Sequence, residues 1–464
     1  MIKHFYFIAI FCIILMPSSQ GQENTILTYE EYINRVKTFH PQIMQLKLYD
    51  QKSDAYIKKA KGGFDPKINL GYDNKSFEDK NYWEKLEGKL KVPLWYGIDI
   101  ESGYDVNNGQ FINTENTLPE NGLLYAGLKI PIGSGLLFNE RRKVLEEAKL
   151  IGEQIELKRI EKYNEIILKA SKRYVKWQIA DEKQKLFNRM VAIAVERFEN
   201  VKASYLEGAN PAIDTLEAKI IVDNRNQEVL KNQEKLMKAR LDLSIYLWDE
   251  GYVPLEVNDI TYPEPFNINQ WQDPVDEIII NQQSYASNNT QILRINNDQK
   301  LLENEKRLLK ENLKPEFNIR VNPLLNTSDN SVSFSQNNYK LGAHFSYPIL
   351  NRKVRGKLAL VELERQENQL DQVNLMRNIE LNLNAQINST EFIKNRHTIA
   401  KENAKNSQSL VQAEMEKFSI GESSIFLINA REQKQIDFQE KVLDLKLELI
   451  SQQLEIIGLT QKFD

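Results

Sequence analysis

The chain of 464 residues contains one cysteine, Cys12, and four histidines, His4, His40, His344 and His397. A single thiol excludes a disulfide scaffold and a thiolate metal centre. The histidines are scattered, and none has a second at ligand spacing, so no metal site is expected. There is no Gly-Lys-Ser/Thr phosphate loop and no Gly-x-Ser-x-Gly elbow. No catalytic residues and no cofactor are therefore assigned, and the chain reads as a non-enzyme. Neither sign of charge dominates: 65 acidic and 61 basic residues give a net charge of −4. No basic face accumulates, which excludes nucleic acid as an expected partner. Past Met16 no apolar run reaches the roughly 20 residues of a membrane-spanning helix.

What is present begins with Lys3 and His4, an apolar run from Phe5 to Met16, and then Pro17-Ser-Ser-Gln-Gly21. A basic start, a short hydrophobic stretch and a small-residue site predict a secretory signal peptide over 1–21, leaving Gln22 first. Cys12 lies inside it, so the mature chain would carry no thiol. An exported chain without spanning helices either stays in water or crosses a membrane as a barrel, because only helices and closed barrels satisfy their backbone in lipid.

The rest is one pattern written twice. Phe39-His-Pro-Gln-Ile43 corresponds to Asn288-Asn-Thr-Gln-Ile292, and Pro66-Lys-Ile-Asn-Leu70 to Pro315-Glu-Phe-Asn-Ile319; both pairs are 249 residues apart. An alternating strand ending in proline recurs as Lys89-Leu-Lys-Val-Pro93-Leu94 and His344-Phe-Ser-Tyr-Pro348-Ile349. Each half then carries an aromatic three residues before a glycine, Tyr205-Leu-Glu-Gly208 and Phe418-Ser-Ile-Gly421. The predicted organisation is a first repeat over 22–250, an extended connector over 251–273 with Pro254, Pro263 and Pro265, and a second repeat over 274–464.

Two kinds of element fill each repeat. Ile160, Ile167 and Tyr174 interleave with Tyr163, Ala170 and Trp177, and Phe187, Ala194 and Val201 with Val191, Phe198 and Tyr205. Ile436, Leu443, Ile450 and Ile457 run alongside Leu447 and Leu454. Sustained seven-residue spacing makes a coiled-coil seam. Residues 68–72, 84–92, 98–106, 123–132, 317–321 and 339–349 alternate as strands, and 73–80, 107–122 and 322–338 read as polar loops between them. Alternating segments joined by polar loops are the sequence signal of a transmembrane barrel, and a symmetric ring of chains could close one.

An entry helix, strands ending in Pro-Leu or Pro-Ile, a long helix, an aromatic-x-x-Gly turn and a returning helix, all duplicated, resemble the TolC family of outer-membrane efflux proteins over almost the whole chain. The resemblance implies an α+β fold in which duplicated strand–long-helix repeats build a trimeric transmembrane β-barrel, continued by a periplasmic α-helical coiled-coil barrel. It implies a homotrimer in the Gram-negative outer membrane, in contact with its lipid. It also implies a passive exit duct of a tripartite efflux or type I secretion system, served by a periplasmic adaptor and an inner-membrane transporter. The alternative is a periplasmic coiled-coil adaptor, which would have one hairpin flanked by compact β domains.

Three expectations go further. The landmark Leu128-Lys-Ile-Pro131-Ile132 matches the second half's strand with Pro131 and Pro348 217 apart, which leaves 32 additional residues in the first half. They predict one more hairpin, hence six strands per chain and eighteen in a trimer, where the family has four and twelve. Trp83, Trp95, Tyr96 and Tyr125, near strand ends, are expected to form membrane-interface girdles. At the periplasmic end the helix reversals Tyr205 to Gly208 and Phe418 to Gly421, with Glu422, are expected to meet the adaptor. There Asp214 and Glu217, three apart on one helix face, would supply negative charge at the entrance, and Phe426 or Leu427 an apolar constriction.

Overall fold

A computed structural model describes residues 25–209, 211–267, 269–328, 331–461 and 463. The expected signal peptide and Cys12 lie outside the described residues. The first repeat opens with β1 (Thr25–Leu27), α1 (Tyr29–Phe39) and α2 (Pro41–Lys61), then the strands β2 (Lys67–Phe77), β3 (Lys80–Pro93), β4 (Asp99–Asn108) and β5 (Leu123–Gly133). The long α3 (Glu140–Leu206) and its return α4 (Ala212–Ser244) complete it. Between the repeats come β6 (Trp248–Asp249), β7 (Val253–Pro254) and β8 (Thr261–Pro263). The second repeat has α5 (Gln272–Ile280) and α6 (Gln282–Ser287) where the first has α1, then α7 (Thr290–Asn312), β9 (Glu316–Ser328), β10 (Ser331–Ser346), α8 (Arg352–Ser419) and α9 (Ile425–Thr460).

The duplication holds at the level of single helix caps. His40 caps α2, its Nδ1 accepting from the Gln42 N–H, and Asn289 caps α7, its side chain accepting from the Gln291 N–H. His40 and Asn289 are 249 apart, as are Pro41 and Thr290 at the helix starts and Lys67 and Glu316 at the strand starts. The second spacing is 213: Gly133 to Ser346 at the strand ends, Leu206 to Ser419 and Ala212 to Ile425 at the helix ends. The first repeat is therefore longer by 36 residues (249 − 213), not 32. Pro131 lies inside β5 whereas Pro348 lies beyond β10, so the two prolines are not equivalent.

Spatially the chain forms two compact units that cut across the repeats. Of the described residues, one takes those within 25–36, 173–267 and 403–444; the other takes those within 37–172, 269–402 and 445–463. In the first, β1 pairs in parallel with β8, and the Tyr174 hydroxyl donates to the Leu27 carbonyl at 2.7 Å. Tyr32 stacks on Tyr174 and Trp177 meets it edge-on. All three aromatics are buried, and they hold the connector's strand and the chain's first strand to α3. Burial also pushes the Tyr32 and Tyr174 hydroxyls to higher pKa, so both stay neutral.

Most members of the seven-residue rows are buried, but Ile160, Tyr163, Val191, Phe198, Leu443 and Leu447 are half-buried and Tyr205 is exposed. Ile167, Ala170, Tyr174 and Trp177 are within 1% of full burial, and Phe187, Ala194 and Val201 are buried further along α3. Ile436, Ile450, Leu454 and Ile457 are buried on α9. The sheet belongs wholly to the second unit, and its strand order is β10-β9-β5-β4-β3-β2, with every pairing antiparallel. The additional hairpin β3–β4 is thus part of the sheet, which has six strands in one chain.

Two expected loops are instead strand. Hairpin β2–β3 runs to a two-residue turn at Glu78 and Asp79, both with positive φ (52° and 56°), the backbone of a type I′ turn. Hairpin β9–β10 likewise continues through Ser328. In the first of these hairpins Asp73, Asn74, Lys75 and Ser76 put polar side chains on both faces, so composition reads as loop while the backbone pairing carries on. Residues 109–122 do form a long loop. Its Phe111 N–H donates to the Tyr82 carbonyl at 3.1 Å, and the Tyr104 hydroxyl and Asn107 amide bind the carbonyls of Asn121 and Asn116.

Candidate functional site

Side chains alternate across a strand, so the register assigns each one to a face of the sheet. On one face, Ile100, Ser102 and Tyr104 of β4 stand opposite Leu128, Ala126 and Leu124 of β5. Leu86, Leu90 and Val92 of β3 continue that face on one side, followed by Ile68, Leu70 and Tyr72 of β2. On the other side follow Phe317, Ile319 and Val321 of β9, then Tyr339, Leu341, Ala343 and Phe345 of β10. No charged residue interrupts this face until Asn74, Glu84 and Asn108 close it at the loop end. From Leu124 to Ile132 it spans about 27 Å along the strand, or about 21 Å at a tilt of about 40°, close to the roughly 25 Å apolar band of an outer-membrane barrel.

The opposite face is charged. Lys85, Glu87, Lys89 and Lys91 of β3 face Asp99, Glu101, Asp105 and Asn107 of β4, with Lys129, Arg320 and Lys340 further across. Arg320 reaches Glu101 at 2.9 Å across the Gly127 position of β5, where an added side chain would strike the Val321 carbonyl. Asp99, nearly fully buried, binds Lys91 at 2.8 Å and Arg141 of α3 at 2.6 Å, tying the sheet's short-turn end to the first turn of that helix.

The expected girdle residues divide between different surroundings. Trp83 and Tyr125 sit on the charged face, Trp83 under the Lys85 ammonium at 4.9 Å and Tyr125 over Gly103. Trp95 and Tyr96 occupy the short β3–β4 turn, both exposed, with Trp95 stacked on Phe64 at 5.6 Å and Arg142 over its ring. The aromatics of the apolar face are Tyr72, Tyr104, Tyr339, Phe317 and Phe345. Strand parity could have found them, since each is an even number of residues from an Ile or Leu of its own strand.

At the helix reversals the two repeats use one device. The Ala209 N–H donates to the Ser204 carbonyl and the Glu422 N–H to the Lys417 carbonyl, both at 2.9 Å. Gly208 and Gly421 each have φ +79° with open space beside them. This is a Schellman ending, in which glycine is needed for its left-handed backbone alone. Val201, Ala218 and Ile425 form a buried cluster with Phe198 and Phe418 packed on it, so the ends of α3, α4, α8 and α9 meet in this unit. Phe418 is therefore a packing residue, while Tyr205 and Glu422 are exposed.

Phe426 and Leu427 are 63% and 43% exposed between the buried Ile425 and Ile428. Asp214 and Glu217 lie in the first two turns of α4, both half-buried. The spacing of 213 makes Asp214 equivalent to Leu427 and Glu217 to Ala430.

Behind the turns runs a polar network that the apolar periodicity did not reveal. Arg197 binds both carboxylate oxygens of Glu432, Nη1 lying 2.7 Å from Oε2, and it also reaches Asn429 at 3.4 Å. Arg225 binds Gln433 at 2.5 Å, and Asn232 donates to Gln184 at 2.9 Å. The Ser423 hydroxyl bond, with the nearby Lys417 and Arg431 charges, holds the Glu414 carboxyl below its usual pKa. Among the described residues no group of three His, Cys, Asp or Glu could hold a metal ion, and no helix is long and apolar enough to cross a membrane.

No family model and no curated protein matches this sequence. Solved structures do. CusC, a structure concerned with folding and transmembrane channel formation, matches with a TM-score of 0.64 at 11% identity, covering 93% of this chain and 91% of that one. The Campylobacter jejuni CmeC outer membrane channel gives 0.62 at 10% identity over 94% and 87%. The Vibrio cholerae outer membrane protein VceC gives 0.63 at 10% over 93% and 95%. The chain has the fold of the TolC-type outer-membrane efflux channels, as its duplicated pattern implied.

Proposed function

We propose that three copies of this chain form a passive duct through the Gram-negative outer membrane, the exit component of a tripartite efflux or secretion assembly. The observation that carries the reading is the division of the sheet into a mainly apolar face that no charge interrupts and a charged one. A soluble sheet would need its apolar face covered, and here residues such as Leu70, Ile132 and Leu341 are 80%, 45% and 63% exposed. Lipid outside and water inside is the environment in which both faces are satisfied.

One sheet of six strands with free edges at β2 and β10 would leave two rows of backbone groups unpaired in lipid. Antiparallel pairing of β2 with β10 of the next copy closes a ring and removes both edges. The helices support the same assembly. On α8, Leu363, Leu370, Leu381, Phe392 and Ile399 are exposed and fall on one stripe at 100° per residue. On α4, Ile213, Leu216, Ile220, Leu230, Met237 and Leu241 do likewise. Each stripe suits a neighbouring copy in a helical barrel.

The helix reversals are the surface proposed for the adaptor. The periplasmic entrance would combine the Asp214 and Glu217 carboxylates with the apolar Phe426 and Leu427, and Tyr72, Tyr104 and Tyr339 are proposed as girdle residues. The adaptor alternative has no counterpart for a six-stranded sheet with one predominantly apolar face free of charge. Outer-membrane fractionation and planar-bilayer recording test the reading together. A chain that stays in the soluble periplasmic fraction and conducts nothing refutes it. Asp214→Asn with Glu217→Gln should reduce cation preference; unchanged conductance and preference would place the charge elsewhere.

A further inference from the structure

The 36 extra residues of the first repeat have a definite place in the sheet. In the second repeat, β9 and β10 are a direct hairpin whose far ends, Glu316 and Ser346, pair with one another. Their equivalents by the spacings of 249 and 213 are Lys67 of β2 and Gly133 of β5, and these strands are held apart by β3 and β4. If β2 turned directly into β5, with Asp79 followed by Leu123, Phe77 would face Leu123 and Lys67 would face Gly133. Ile68, Leu70 and Tyr72 would then stand opposite Ile132, Ile130 and Leu128, apolar against apolar at every step. The β3–β4 hairpin is thus an in-register insertion into a simpler hairpin, and the apolar face is continuous with it or without it.

The insert is also nearly neutral on its charged face, where Lys85, Lys89 and Lys91 are balanced by Glu87, Asp99, Glu101 and Asp105. Lys91 pairs with Asp99 and Lys89 with Glu87. Such an insertion leaves the faces and their charge balance much as they were and changes strand number. Resting on the trimeric duct proposed above, we infer that the β3–β4 hairpin sets the bore of the outer-membrane exit, making this a wide duct for bulky cargo on the scale of polymers or small folded chains.

The size follows from strand geometry. At about 4.8 Å between strands and a tilt of about 40°, eighteen strands enclose a backbone diameter of about 35 Å and twelve about 24 Å. Side chains occupy about 5 Å from each wall, which leaves a free bore of about 25 Å against about 14 Å. The loop 109–122 is tied to its own strands through Tyr82, Tyr104 and Asn107, which keeps it at the rim.

The test uses full-length protein in intact cells. Asn318→Cys places a thiol on the charged face of β9 and Ile319→Cys one on the apolar face, and the unmodified chain gives the background labelling. A small water-soluble maleimide should label Asn318→Cys and not Ile319→Cys; equal labelling refutes the duct itself. A maleimide carried on a neutral polymer of about 10 Å radius should then reach Asn318→Cys from outside, because a bore of about 25 Å admits it. The same polymer should label a variant lacking residues 80–122 at least tenfold more slowly. An equal polymer cut-off in the two proteins overturns the inference while leaving the duct intact. Should the deletion variant not reach the membrane, exclusion of the polymer from the undeleted barrel overturns it alone.

Discussion

Placing an arginine on the apolar face tests the membrane assignment at a single side chain. Leu128 is the middle residue of β5, five from each end, opposite Ile100 of β4 and Val321 of β9 in the centre of the apolar rows. Arginine on a barrel's lipid face costs about 2–4 kcal/mol at the bilayer midplane and about 0–1 kcal/mol near the interface. Leu128→Arg should therefore destabilise each chain by about 2–4 kcal/mol. Ile132→Arg, on the same face but one residue from the strand's end beside α3, should cost no more than about 1 kcal/mol. Lys129→Leu, on the charged face between them, should change stability little. Reversible urea unfolding from thin phosphatidylcholine vesicles, followed by tryptophan fluorescence, measures all three. A flat profile, or a larger loss at Lys129 than at Leu128, would mean that this face does not meet lipid.

Other positions make independent predictions. Glu432→Ala should cost about 3–5 kcal/mol, because it leaves the Arg197 guanidinium uncompensated at a site where both side chains are about nine-tenths buried, and chemical denaturation reads it. Gly421→Ala keeps every hydrogen bond of its turn but forces alanine to φ +79°, a loss of about 1–2 kcal/mol that hydrogen exchange at the α8–α9 turn should register. His40 accepts a backbone hydrogen bond, and burial lowers its folded pKa. A depressed histidine is neutral when folded, so its contribution is complete above the unfolded value of about 6.5 and is lost as pH falls from there towards the folded pKa. His40→Asn, which copies the Asn289 cap of the second repeat, should flatten part of that loss between pH 7.5 and 5. The remainder belongs to His397, whose pKa burial also lowers, with Lys446 and Lys401 adding to the effect.

How far the sequence was legible depended on which kind of order carried each feature. Seven-residue apolar rows such as Phe187, Ala194 and Val201 announce a coiled coil because burial and periodicity coincide there. On α4 the same spacing runs through Arg225, Asn232 and Ala239, all buried. Two of these are polar, so a search for apolar repeats passes over the row although it faces the core as closely as any other. Strand ends failed for the converse reason. Beyond the apolar band Asp73, Asn74, Lys75 and Ser76 of β2 put polar side chains on both faces, and composition alone then cannot separate a paired strand in water from a loop. The aromatics at strand ends were chosen by type, but it is parity that assigns a face: Trp83 and Tyr125 share the charged face with Lys85 and Lys129, and Tyr104 shares the apolar face with Ile100. Repetition was the most durable signal, because two copies must satisfy the same backbone. His40 and Asn289 differ as residues yet cap the same turn, and the change of spacing from 249 to 213 between the strand starts and the strand ends locates the inserted hairpin without any reference to its composition.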